Sequence, residues 1–461
     1  VFQLDVPTIS IADADKGFKV LQGSELTITP IVDSFLETSY SWQINGEDIS
    51  NELTCTLPTI ELGEYQVRFA THNEDGDDEV TFKVEVCSPD QVDFNWTFLQ
   101  TEYNMSAGRT IRIKPVDVNN ALDAVYTWTV DNEQVQSGEN DTYLFTSEQQ
   151  GEHTVKVEMK NSYILATQTL KVNVCPPAGT YQRKISATSS ASMNKVYEYL
   201  PAPGQFINEN HNTTTMAEAC TYAEERINQT AYVSLGGFGG YIIVGFDHSI
   251  VNDGDYNIAI TGNAFDGSSE PGIVWVMQDE NGDGLPNDTW YELRGSEYGK
   301  AETWQDYAVT YHKPTGIQLP TPWTDNHGQS GSIDYLGAFH RQDYYYPAWV
   351  KEKQYTLRGT RLKERNYDQS GNGTYWVNDS YEWGYADNFS AIDRLTDDDN
   401  YNAGPSDNHF KISHAVTFDG KDANLKYVDF IKVQVGVNSK SGWLGEISTE
   451  VFGIKDFNML K

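Results

Sequence analysis

Residues 278–293, QDENGDGLPNDTWYEL, gather acids, amides and glycines between two stretches of strand-like sequence. Asp279, Asn281 and Asp283 occupy alternate positions, Gly284 follows, and Asp288 stands three residues beyond Leu285. Short oxygen side chains at such spacing can wrap a hard cation while a glycine makes the sharp turn and a backbone carbonyl, here that of Leu285, adds a ligand. Calcium suits the pattern better than magnesium, which demands stricter octahedral geometry. The competing reading is a solvated hairpin turn, since Asn-Gly and Asp-Gly are favoured there for backbone reasons alone. Five aligned oxygen donors favour calcium, as a structural ion that pins a hairpin; Glu292 lies within reach but is not required.

A second cluster is aromatic. The segment HRQDYYYPAWVKEKQY holds Tyr344, Tyr345, Tyr346 and Trp349, close in sequence to Trp323, His327 and His340, and Trp376 follows in the next irregular stretch. Aromatic side chains on loops that no strand core needs make flat contact surfaces of low entropic cost for a large ligand, with nearby Asp and Asn side chains for its polar rim. The competing reading for each tyrosine is a hydrophobic cluster beneath the loops, and a lone histidine is more often a satisfied polar residue than a metal ligand. The acidic segment Thr396–Asp407 is expected either to close over a ligand or simply to be solvated. Asp334 and Asp343 are the acid pair best placed in sequence for acid–base work. With 67 acids in the chain such neighbours arise unavoidably, and no nucleophile elbow or HExxH is present, so no enzyme is expected.

The elements that must position these residues are β-strands. Lys plus Arg total 32 against 67 Asp plus Glu, a net charge of -35, so no basic face exists to displace phosphate counterions and nucleic acid is excluded as a partner. Aromatics at 13%, including 28 Tyr and 11 Trp, are too many for a disordered acidic chain. The four cysteines, Cys55, Cys87, Cys175 and Cys220, match neither a zinc site nor a dense disulfide framework. Burial is the expectation for Cys87 and Cys175, while Cys55 stands where a pairing with Cys87 is conceivable. Short strands, Asn/Asp/Gly turns and low Lys content lean towards an exported protein.

Comparing the chain with itself reveals a tandem repeat. LQGSELTITPIV is answered by MSAGRTIRIKPVD, pairing Gly23 with Gly108 and Pro30 with Pro115; SYSWQINGEDIS by VYTWTVDNEQVQS, pairing Trp42 with Trp128; and the long terminal hairpins pair Gly63 with Gly151 and Cys87 with Cys175. Period-two alternation, as in Leu26, Ile28, Pro30 or Tyr65, Val67, Phe69, marks half-buried strands, and a central-strand tryptophan plugs a sandwich core. Beyond CPPAGTYQRK the repeat stops. One convincing helix, TTTMAEACTYAEERINQ, places Met216, Ala219, Cys220, Ala223 and Ile227 on one stripe after a Thr cap, and the remainder reads as many short strands. The predicted fold class is mainly β: two tandem Ig-like or PKD-like sandwiches, 1–88 and 89–178, acting as a stalk, then a larger jelly-roll-like β-sandwich, 179–461, with one short helix and long functional loops at 312–350, 364–385 and 394–411.

The repeats resemble the PKD and bacterial Ig-like modules of exported surface proteins. In the large domain VYEYLPAPGQFIN, SLGGFGGYIIVGFDHSI, GNAFDGSSEPGIVWVMQDENGDGLPNDTWYELRGSE, PWTDNHGQSGSIDYLGAFHRQDYYYPAW, EWGYADN and WLGEISTEVFGIKD resemble a family of PKD-domain surface lipoproteins of gut Bacteroidetes, over residue ~196 to the end. That resemblance implies an accessory protein of outer-membrane vitamin uptake, akin to the cobalamin-capturing BtuH-type lipoproteins. Implied with it are a lipid anchor outside the given sequence, a corrinoid ligand, and a TonB-dependent transporter as partner; surface carbohydrate is the alternative ligand. The loop start D-x-N-x-D-G resembles an EF-hand-type loop, but Trp290 occupies the position of the bidentate Glu. The acid at Asp288 makes it more similar to the compact calcium loops of thrombospondin type-three and excalibur-type repeats.

Overall fold

The computed structural model describes residues 4–461 apart from 92–93, 120, 122, 162–163, 210 and 397–404. The acidic segment Thr396–Asp407 therefore lies largely outside the described residues. Strands dominate, with one α-helix among the described residues.

The two N-terminal domains share one plan. In the first, Phe18–Leu21, Gly76–Cys87, Gly63–Asn73, Ser39–Ile44 and Glu47–Ser50 lie side by side in that order; in the second, Glu102–Ser106, Leu165–Cys175, Gly151–Lys160, Val125–Val130 and Glu133–Gly138 do the same. The edge strand pairs in parallel with the last strand in each copy. Short pairs, Leu26–Ile28 with Cys55–Leu57 and Thr110–Ile113 with Tyr143–Thr146, supply the facing layer. The repeated residues have equivalent duties. Trp42 and Trp128 are fully buried in their separate cores. Gly23 and Gly108 adopt φ of +79° and +81°, a left-handed turn that side chains resist. Cys55, Cys87 and Cys175 are buried free thiols, so the conceivable Cys55–Cys87 bond is not formed, and burial raises all three pKa values.

The large domain is built on a six-stranded antiparallel sheet, in the order Lys195–Leu200, Tyr241–Val251, Tyr427–Val435, Gly272–Met277, Tyr291–Leu293, Ala415–Val416. One face carries Val244, Val274, Val276, Ile431 and Val433 into the main core, where they meet Ile258, Ile260 and Ile454 of a three-stranded sheet and the helix Met216–Asn228. Thr215 caps that helix in a reciprocal box with Glu218, and Ala219, Ala223 and Ile227 face inward. Cys220 is half-buried against the same core.

A four-stranded sheet, Ser330–Ile333, Thr321–Asp325, Trp304–His312, Gln354–Arg361, stands beside this sandwich over a second core. The expected long loop at 312–350 is thus partly strand, and 364–385 contains the hairpin Asn366–Asp368 with Trp376–Asn378.

The second domain is more than a spacer, because one end of it docks on the large domain. Arg109 is the centre of this junction. Its Nε lies 3.1 Å from Glu280 Oε1, Nη2 donates to Gln278 Oε1 at 2.9 Å and Nη1 to the Tyr291 hydroxyl at 3.2 Å. Ser106 Oγ also donates to Glu280 Oε1 at 2.9 Å. Further out, Arg112 and Lys114 pair with Asp306, and Arg358 with Asp117.

Glu280 is buried, so removing its cation leaves an uncompensated charge. Arg109→Ala is expected to cost about 3 kcal/mol, read as a lower urea midpoint for the transition that includes the large domain. Arg109→Lys should restore only part of the loss, because a point charge replaces a planar fork. An unchanged midpoint in the alanine variant would show that the bridge adds no stability.

Candidate functional site

The opening loop joins Gly272–Met277 to Tyr291–Leu293 and meets the second domain at its tip, where Asn104 Nδ2 donates to the Asn287 carbonyl at 3.3 Å. Gly282 and Gly284, with φ of +76° and +73°, make its reversals. The two Asp279 carboxylate oxygens accept the N–H groups of Gly282 and Gly284 at 2.8 and 3.0 Å. Asp283 accepts the Leu285 N–H and the side-chain amides of Asn281 and Asn287. These are Asx turns that organise the loop by themselves. Asp288 differs: Oδ2 accepts the Glu280 N–H at 3.0 Å, but Oδ1 is buried without a donor. Burial, reinforced by the carboxylates of Glu280, Asp279 and Asp283, pushes Asp288 up to about 8. Asp279, Asp283 and Asp288 therefore share one loop but do not bring three carboxylate oxygens within 4.8 Å of one another; Asn281 bonds Asp283, and the Leu285 side chain is exposed.

The aromatic segment is largely structural, and this corrects the expectation of an exposed surface at Tyr345, Tyr346 and Trp349. Their exposures are 1%, 1% and 6%. The chain folds back beneath the four-stranded sheet, so Tyr345 and Tyr346 fill the second core and Trp349 enters the main one. Each polar atom finds a backbone partner inside: Tyr345 to the His340 carbonyl, Tyr346 to that of Glu352, Trp349 to that of Tyr199. Tyr344 and Trp323 are half-buried at the edge of the second core, the former beneath Lys313 Nζ at 5.3 Å. His340 bonds Glu209 at 2.7 Å and stands edge-on to Phe206, while His327 stacks on Trp304 at 4.2 Å. These histidines are satisfied by neighbours and do not converge. Asp334 is held by Lys440 at 2.7 Å. Trp376 lies half-buried against Gly442, its Nε1 without a partner.

The concave site lies elsewhere. A cleft of about 620 Å³ opens between the second domain and the outer face of the six-stranded sheet. Cross-strand register places Lys432, Trp275 and Glu292 in one row across three neighbouring strands, on the face opposite the main core. Lys432 Nζ stands 4.8 Å over the Trp275 ring and 4.9 Å over Trp290. Burial depresses the Lys432 ammonium to about 8, and burial raises Glu292 to about 7, although Thr360 Oγ1 donates to it at 2.6 Å. Tyr103 from the second domain and Phe418 from the large domain add apolar wall. The result is a pair of indole faces with a central amine and a polar rim, suited to hold a flat or bulky molecule. Trp275 and Trp290 flank the opening loop in sequence, but nothing in sequence aligns them with Lys432.

Residues 6–73 and 98–161 each match the model of the PKD-like domain, so the chain carries two PKD-like domains of Ig fold. No curated protein matches. Among solved structures, the fibronectin(III)-like modules of Clostridium thermocellum CbhA are similar at 15% identity and a TM-score of 0.20, over 39% of this chain and 100% of that one. A chimeric titin Z1Z2 is similar at 19% identity and 0.23, over 38% and 98%. The titin Ig tandem A164-A165 is similar at 17% and 0.16, again over 38% and 98%.

Glu292 gives the cleft a pH signature. In the unfolded chain it ionises near ~4.3, whereas in the fold it keeps its proton to about 7. The stabilisation from that proton is complete below the unfolded value and lost as pH rises through the folded one. Glu292→Gln should therefore melt progressively higher than wild type between pH 5 and pH 8, by about 3 °C or more at the upper end. Scanning calorimetry across that range checks it, and a pH-independent difference would mean that Glu292 is ionised throughout.

Proposed function

We propose that this chain is a non-enzymatic ligand-capture protein of the cell surface and that its ligand occupies the cleft between the second PKD-like domain and the large β domain. The cleft is the observation that carries this reading: it is concave, lies at a domain junction, and sets the faces of Trp275 and Trp290 among polar and charged side chains that can orient a bound molecule. The ligand class we infer is a corrinoid, vitamin B12, on the strength of the large-domain resemblance. Part of such a molecule fits the cleft and the remainder stays in solvent. In this proposal a lipid anchor outside the given sequence holds the protein at the outer membrane, and a TonB-dependent transporter receives the ligand. Calcium in the 279–288 loop, addressed by Asp288 Oδ1, would steady the hairpin that carries Trp290 and the junction with the second domain.

A carbohydrate ligand is the second reading, favoured by a separate observation. Phe339, Tyr375 and Trp443 are 65%, 53% and 50% exposed; the first and last have ring centroids 6.3 Å apart, and Trp443 Nε1 reaches the Thr374 carbonyl. This platform presents faces on which sugars stack.

Titration calorimetry with cyanocobalamin, with and without calcium, tests both. One-to-one binding that Trp290→Ala weakens tenfold or more and Trp443→Ala leaves unchanged supports the cleft. A flat trace at micromolar protein with calcium present sinks the corrinoid reading, and glycan binding lost in Trp443→Ala would install the second.

A further inference from the structure

We propose that Glu270, Asp387 and Glu450 form a binding site for a calcium-class divalent cation, distinct in its residues from the 279–288 loop. The three come from separate segments: the connection between Ile258–Gly262 and Gly272–Met277, the EWGYADN stretch, and the short strand Glu450–Val451. One carboxylate oxygen from each lies within 4.8 Å of the others. Two oxygens on opposite sides of a calcium ion, each at 2.3–2.6 Å, stand roughly 5 Å apart, so a single ion can touch all three. The donors are all oxygen, which selects hard cations over transition metals.

The cluster is built and not merely crowded. Asp387 Oδ1 accepts the Asn263 N–H at 2.8 Å and Oδ2 the Glu450 N–H at 2.9 Å. Glu270 Oε1 accepts the Ser448 N–H at 3.2 Å, and the Glu270 N–H bonds the Asp387 carbonyl at 2.9 Å. Asp387 is held in the left-handed region at φ +51°, and only a residue without Cβ fits at Gly262, where that atom would stand 2.5 Å from Asp387 Oδ1. Independent of that scaffold, a buried oxygen asks for a partner. Glu450 is 5% exposed and its Oε1 meets no donor, and Oε2 of Glu446, 4% exposed, is likewise unanswered. Among the described residues no basic side chain makes an ion pair with any of the three. Three carboxylates packed in a medium of low dielectric repel one another unless protons or a cation neutralise them. Glu270 is only half-buried, which leaves an entry path from solvent.

The full chain, stripped with chelator at pH 7.5, should bind calcium in a calorimetric titration and melt several degrees higher with 1 mM calcium than without. Glu270→Gln and Glu450→Gln should each lose one bound equivalent and most of the shift, whereas Asp283→Asn, which alters only the other loop, should keep this equivalent. If Glu450→Gln does not fold, Glu270→Gln at the open edge decides. Calcium stoichiometry and shift unchanged in the glutamine variants would overturn the proposal. So would a wild type that ignores calcium while both variants melt higher than it, the behaviour of a protonated cluster.

Discussion

With 32 basic side chains against 67 carboxylates, any acid that folding takes out of water has to be answered by a backbone N–H, a proton or an ion. The structure uses each answer in a different place. Glu280 receives the half-buried guanidinium of Arg109, and that pairing holds the second PKD-like domain against the large one. Asp279 is answered by the N–H groups of two glycines in its own loop. Glu292 keeps its proton because burial outweighs both the Thr360 hydrogen bond and the neighbouring ammonium. The scarcity of cations is thus a constraint on architecture as well as on solubility.

The cleft follows from the same junction. Docking through Arg109 brings the second domain over the outer face of the six-stranded sheet, and the face it partly covers is the one on which Lys432, Trp275 and Glu292 align. An amine between two indoles is stabilised by their π faces, which partly replaces the water that burial removes. The opening loop links the two features physically: its acidic tip meets the second domain, and its descending arm carries Trp290. A change at the junction is therefore felt in the cleft through one short hairpin.

The aromatic segment shows why loop composition misleads. Tyr344, Tyr345, Tyr346 and Trp349 stand among charged residues and beside Pro347, with no period of two or 3.6 to declare a buried face. Burial was decided by the way residues 340–350 return under the four-stranded sheet, where nearby carbonyls of the same segment accept the tyrosine hydroxyls and the distant Tyr199 carbonyl accepts the Trp349 indole hydrogen. The solvent-facing aromatics, Phe339, Tyr375 and Trp443, carry no stronger local signal than the buried ones.

Local chemistry was sufficient for much of the molecule. The repeated glycines, tryptophans and alternating apolar residues determine two sandwiches, because left-handed turns and a period of two are properties of the backbone near each residue. The capped helix and the Asx turns of the 279–288 loop are local for the same reason. The docking of Arg109 on Glu280, the row formed by Lys432 and Trp275, and the meeting of Glu270, Asp387 and Glu450 all join residues far apart in the chain. Sequence spacing carries no record of such meetings; they exist only once strands are paired in register and packed, which is the work of tertiary structure.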